Sequence, residues 1–121
     1  MTHPPDETIR HLRDAYAAFN NRDADAVLSL MTSDVVWPRA FKGGFVEGPD
    51  AIRAYWTEQW GEIDGTVDPV SFETDETGRI NVTVHQVVRD LDGNVLADNH
   101  VCHRFTMDRD LIAKMDLPDA P

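Results

Sequence analysis

Three residue types in this chain suit acid–base work, and His103, Tyr16 and Arg39 are the ones whose positions suit it. His103 sits in the alternating run Val101, His103, Phe105. An imidazole on such an apolar face has an ordinary pKa near working pH, and burial keeps it neutral and able to accept a proton. Taking a proton from a carbon beside a carbonyl needs that base, plus a donor for the developing enolate. Tyr16 and Arg39 are the candidate donors, and Arg39 also suits clamping a carboxylate. Blander roles fit the same residues. His103 can line a pocket without catalysis, or be a core histidine bonded to a neighbour. Arg39 can be an exposed rim charge.

Large aromatic side chains surround these groups in the sequence. Trp37, Phe41 and Trp56, with Tyr16 and Tyr55, suit the wall of a pocket for a flat or apolar ligand. Trp60 counts for less, at the end of its helix. Gln86, Asn99, Val101 and Met115 complete the expected lining. His85 and His100, with Asp98 nearby, are the only other cluster of ligating types. No fixed spacing motif supports a metal there, so an interface or solvated pair is expected and no metal is assigned. Cys102 has no second thiol or basic cluster beside it and reads as structural. Gly43-Gly44 is followed by no Gly-Lys-Ser/Thr and is no phosphate cradle.

The elements that must place these groups follow from periodicity. At 121 residues the chain is one domain, with a core over about residues 6–117. Asp6 to Asn20 reads as a helix whose stripe is Ile9, Leu12, Tyr16 and Phe19. Asp23 caps a second short helix running to Met31. Ser33-Asp34 reads as a turn, and Val35 to Trp37 as a strand ending at Pro38. Pro49 opens a third helix, to about Trp60, with Ile52, Tyr55, Trp56 and Trp60 inward. The rest is strand: near Val67 to Thr74, Arg79 to Asp90, Val95 to Met107, and Leu111 to Leu117. The proline-bearing ends, Thr2 to Pro5 and Pro118 to Pro121, read as frayed.

A register can be worked out from the turns. With Asp92-Gly93 as a two-residue loop, Leu91 pairs with Asn94, Gln86 with Asn99, Val84 with Val101, Val82 with His103 and Ile80 with Phe105. That places an apolar face, His103 included, toward the helices. A three-residue loop at Asp108 to Asp110 pairs Phe105 with Ala113 and His103 with Met115. Leu111, Ala113, Met115 and Leu117 then face inward, and Asp116 outward. The opposite face, with Thr83, His85, His100, Cys102 and Arg104, is mixed in character and suits a homodimer interface.

Charge narrows the partners. Asp and Glu number 22 against 11 Lys and Arg, a formal charge of -11 that repels phosphate backbones and anionic lipid. No nucleic-acid or membrane partner is expected. The N-terminus has no basic start or apolar stretch, so no signal peptide is read there. One cysteine suits a reducing, cytoplasmic setting.

The order of these pieces is itself informative. Tyr-x-x-Phe in the first helix is followed by Arg-Asp-Ala-Asp-Ala-Val-Leu-Ser-Leu-Met, Ser-Asp-Val-Val-Trp and Phe-Val-Glu-Gly-Pro-Asp-Ala-Ile-Arg-Ala-Tyr-Trp. A long hairpin ending in His-Arg-Phe-Thr-Met-Asp comes next. Over about Glu7 to Leu117 this resembles the SnoaL-like group of the nuclear transport factor 2-like superfamily, which includes ketosteroid isomerase. The resemblance implies an α+β fold, a conical curved antiparallel sheet wrapped around the long N-terminal helix with two further helices. It implies an enclosed apolar pocket for a small organic molecule, a homodimer and no cofactor. Members include isomerases, cyclases and hydrolases as well as non-catalytic binders, so the fold alone does not name a reaction. Tyr16 matches the tyrosine donor of ketosteroid isomerase. Arg39 stands where that family has its aspartate base, and Val101 where it has its second acid. His103 matches the histidine of SnoaL-type cyclases, for which Asp116 is the nearest later acid.

Overall fold

The structure, a computed structural model, describes residues 2–39 and 42–118. Helix α1 (Asp6–Asn20) has no side-chain cap but carries Asp6 and Glu7 in its first turn, where backbone N–H groups favour acids. Helix α2 (Ala24–Leu28) is capped by Asp23, whose carboxylate accepts from the Ala26 N–H. Helix α3 (Pro49–Trp60) begins with proline in its first turn. The strands are β1 (Met31–Pro38), β2 (Phe45–Glu47), β3 (Asp64–Thr74), β4 (Ile80–Arg89), β5 (Val95–Asp108) and β6 (Leu111–Asp116).

The six strands form one sheet, ordered β2-β1-β6-β5-β4-β3. All neighbours run antiparallel except β1 and β6, which are parallel. The expected all-antiparallel sheet is therefore mixed, curved and left open. Parallel pairing follows from chain path: β1 follows α2 and β6 ends a meander, so they meet in the same direction. Strand β1 is longer than expected, and Ser33-Asp34 lies within it rather than in a turn. The short β2 was not visible in the sequence.

The long hairpin has the expected register, with Gln86 opposite Asn99, Val84 opposite Val101, Val82 opposite His103 and Ile80 opposite Phe105. Its turn differs. Asp90 N–H donates to Asn94, Gly93 N–H donates to Asp90, and Arg89 pairs with Val95, so the loop is one residue longer than the pairing of Leu91 with Asn94 requires. A bulge between Val88 and Arg89 restores the register. Strand β6 departs further. Its turn is tighter, with Asp108 opposite Leu111, Arg109 adopting a φ of 58°, and a bulge at Ala113 before Phe105 meets Met115. Met115 still faces inward. Ile112 takes the inward place assigned to Leu111, which is exposed.

The core lies between the inner sheet face and the helices. Leu12, Ile52, Trp56, Val82 and Val84 are buried, with Phe105 over them. Phe19 packs edge-on against Trp56, and Trp37 does the same from β1. The N-terminal segment is not frayed. Thr2 exchanges two backbone hydrogen bonds with Thr74, at 3.0 and 2.7 Å, and Pro4 is buried.

Trp56 touches aromatic rings from α1, β1 and its own helix at 1% exposure. Trp56→Ala should therefore cost about 3–5 kcal/mol, read as a shift in the urea midpoint. A loss under about 1 kcal/mol would show that the indole is not held by this cluster.

Candidate functional site

The sheet curls over α1 and leaves a cavity of about 200 Å³ between its inner face and the helices. For comparison, an apolar cavity of about 150 Å³ admits benzene. Along β5, Phe105, His103 and Val101 line it in turn, and β4 contributes Gln86 and Val88. Trp37, Trp56 and Tyr55 form the opposite wall, and Met115 joins from β6. No described lining residue is an Asp, Glu, Lys or Arg.

Two polar side chains meet at the deep end. The Tyr16 hydroxyl, from α1, lies 2.8 Å from His103 Nδ1 on β5. The rings are nearly parallel, and Phe105 packs edge-on against both. Burial lowers the His103 pKa to about 4, because an imidazolium here would lose its water. Burial likewise raises the Tyr16 hydroxyl well above its ordinary value of 10.0. Both groups are thus neutral across the physiological range. With the proton on Nε2, the Tyr16 hydroxyl donates to Nδ1. With the proton on Nδ1, that N–H donates to the hydroxyl oxygen. One donor proton is left over in either tautomer.

The remaining expected site residues are distributed as follows. Trp37, Trp56, Gln86, Val101 and Met115 line the cavity with Tyr16 and His103. Asn99 is opposite Gln86 but exposed, and it is not among the lining residues. Arg39 is not in the lining. Its backbone N–H donates to Gly44, its Nε donates to the Gly43 carbonyl at 2.8 Å, and it accepts from Gly43 N–H, so it closes the β1–β2 turn. Gly43 and Gly44, at φ 76° and 75°, supply the backbone shape of that turn. Phe41 lies outside the described residues. Asp116 points to the outer face, 2.8 Å from Arg104. His85 Nε2 donates to Asp98 at 2.7 Å, and His85 stacks on His100 on that same face. Gln59 lines the cavity and was missed. It stands four residues after Tyr55 on α3, so helical spacing carried the signal.

The depressed His103 pKa links folding to pH. Between about 4 and the ordinary 6.5 the unfolded chain holds a proton on this imidazole and the folded chain does not. The stability contributed by neutral His103 is therefore complete above about pH 6.5 and lost as pH falls toward 4. Urea titrations should show the wild type losing on the order of 2–3 kcal/mol more than His103→Leu between these limits. Parallel losses in the two proteins would contradict a desolvated imidazole.

The geometry has clear parallels. TerC, crystallised with polyporic acid, is 25% identical, covers 90% of this chain and 88% of its own, and superposes with a TM-score of 0.78. RV0760c from Mycobacterium tuberculosis, in complex with estradiol-17beta-hemisuccinate, has the same TM-score at 15% identity, with 94% of each chain covered. A polyketide cyclase-like protein from Xanthomonas campestris reaches 0.72 at 20% identity, covering 90% of this chain and 87% of its own. The two less similar proteins speak for the fold alone. No curated protein matches the sequence. The family model described as SnoaL-like domain matches residues 12–115, from the middle of α1 to β6. That match takes in most of the sheet and nearly all of the cavity lining, and the chain belongs to the SnoaL-like domain family.

Proposed function

We propose that this protein binds a small, flat, mostly apolar organic molecule in the cone, oriented by one hydrogen bond to the Tyr16–His103 pair. The observation that carries this is a cavity of about 200 Å³ whose deep end holds a neutral pair with one unused donor. A ligand carbonyl or hydroxyl oxygen is the complementary group. The described lining residues offer no counter-ion, so the part of the ligand inside the cone is uncharged. The ligands of TerC and RV0760c are organic molecules in structures of this same fold, which supports the reading.

A catalytic reading uses the same atoms. His103 would take a proton from a carbon next to a ligand carbonyl, breaking C–H and forming N–H. Tyr16 would donate to the enolate oxygen. At a pKa of about 4 His103 is a weak base in the empty cone. Negative charge developing on the ligand beside it favours the protonated imidazole and raises that value as the reaction proceeds. This is cofactor-free chemistry of the isomerase, cyclase or hydrolase kind. Arg39 is left out of this reading because it does not line the cavity.

We place the partner surface on the outer sheet face, where two copies would meet as a homodimer. Its mixed set of His85, His100, Cys102 and the Arg104–Asp116 ion pair supports that reading. The charge of -11 argues against phosphate-bearing partners, and the single thiol suits a cytoplasmic setting. No described helix is long and apolar enough to cross a membrane.

Binding of 2-naphthol and naphthalene, compared by calorimetry, tests the orienting bond. The wild type should prefer 2-naphthol by about tenfold, as one added hydrogen bond implies. Tyr16→Phe combined with His103→Leu should bind both equally, because either residue alone still carries a donor. Equal affinities in the wild type would remove the pair from recognition. For the catalytic reading, the wild type should speed deuterium exchange at the α-carbon of 2-tetralone, and the double variant should not. Matching exchange rates would leave a binder only.

A further inference from the structure

The cavity has a second polar end. Gln59, on the last turn of α3, and Gln86, on β4, both line it. Neither carboxamide has a hydrogen-bond partner among the described residues, whereas Tyr16 and His103 satisfy each other. These amides mark the mouth. Tyr55, Gln59 and Val88 border both the inner cavity and an outer groove that continues to Lys42, Glu62 and Ala97. Register fixes the order along the hollow. Gln86 sits opposite Asn99 and Val88 opposite Ala97, while His103 lies further up β5. Four residues of extended strand separate the level of Gln86 from that of His103, about 13 Å. Between the two levels β5 presents Val101 to the cavity, while Val67 on β3 lies beside Gln86.

We propose that Gln59 and Gln86 form a second anchor, so that the natural ligand is an elongated neutral molecule with a hydrogen-bonding oxygen or nitrogen at each end and an apolar middle. This rests on the pocket reading above and narrows its ligand class. A carboxamide both donates and accepts, so hydroxyl, carbonyl and amide ends all fit. A carboxylate end fits poorly. Glu58 and Glu62 both flank Lys42 beside the mouth, so its ammonium is already matched by acid. A cationic end meets no carboxylate in the inner lining.

The test compares 4-hydroxybiphenyl with 4,4′-dihydroxybiphenyl by calorimetry on the wild type, Gln86→Leu and Gln59→Leu. In the wild type the second hydroxyl should tighten binding about tenfold. In Gln86→Leu that gain, read as the ratio of the two affinities within the variant, should disappear, and in Gln59→Leu it should shrink. Gln59 lies at the end of an exposed helical turn, so its replacement tests the idea even if Gln86→Leu disturbs the strand. Tight binding of 4-hydroxybiphenyl with no gain from the second hydroxyl would overturn the second anchor alone. So would a gain that survives in both variants. If neither biphenyl binds the wild type, the pocket reading falls and this inference with it.

Discussion

An imidazole placed among Phe105, Val82 and Met115 must either find a partner or lose its place in the core, and everything in this fold is arranged so that Tyr16 meets it. The bond spans 87 residues of sequence and joins the first helix to the fifth strand. It exchanges the water each group would otherwise need for a single internal contact, and the burial that makes it necessary keeps both neutral. Because it is made by a helix and the sheet that wraps it, it ties α1 to the inner sheet face at the cavity wall. A pair of aliphatic residues here would pack more simply but would leave the deep end with nothing to orient a ligand.

The aromatic layer opposite serves a related purpose. Trp37 and Trp56 meet edge-on at 5.5 Å, and Phe19 packs against Trp56 from α1. Large rigid rings hold their positions with few rotamers, so they leave a defined gap instead of collapsing into it. Trp60 extends the layer, tilted against Phe19 and Trp56, with the Arg22 guanidinium over its ring. Recognition in the cone is therefore a matter of a preformed slot and a few fixed polar atoms, the usual form of small-molecule sites.

Legibility in the sequence followed the distance over which each signal acts. The helices carry their own stripes, so Leu12, Tyr16, Ile52, Tyr55 and Trp56 were assigned correctly from spacing. The inner face of β4 and β5 was legible because alternation over many residues outweighs an error in the turn. A loop one residue longer than Asp92-Gly93 implies was offset by one bulge near Leu96. Strand β6 is too short for such averaging. A turn one residue tighter was enough to exchange Leu111 and Ile112, and the bulge at Ala113 then returned Met115 to the inner face. The parallel junction of β1 with β6, the short β2 and the pinning of Thr2 to Thr74 depend on tertiary meetings that no local pattern records. Arg39 was misleading for another reason: its type suits anion binding, but the Gly43-Gly44 turn beside it competes for the same N–H groups. Asn99 follows the expected register but not the expected burial, since register fixes a residue's partner and face and not its exposure.

The magnitudes decide what such a pocket discriminates. A single neutral hydrogen bond contributes about 0.5–1.5 kcal/mol, which separates one ligand from another by an order of magnitude at most. A buried, unpaired charge costs several kcal/mol even after the protein relaxes. The described lining contains no charged side chain to offset such a charge, and His103 resists becoming one. Exclusion of ions is therefore the stronger filter, and hydrogen bonding chooses among the neutral molecules that remain. The acidic exterior does not change this ordering, since its charges are exposed and screened within about 8–10 Å at ordinary ionic strength. The same ordering bears on chemistry. In the catalytic reading proposed above, a site that penalises charge at rest would hold its histidine neutral until a ligand supplied a compensating negative oxygen, and proton transfer would be coupled to having that ligand in place.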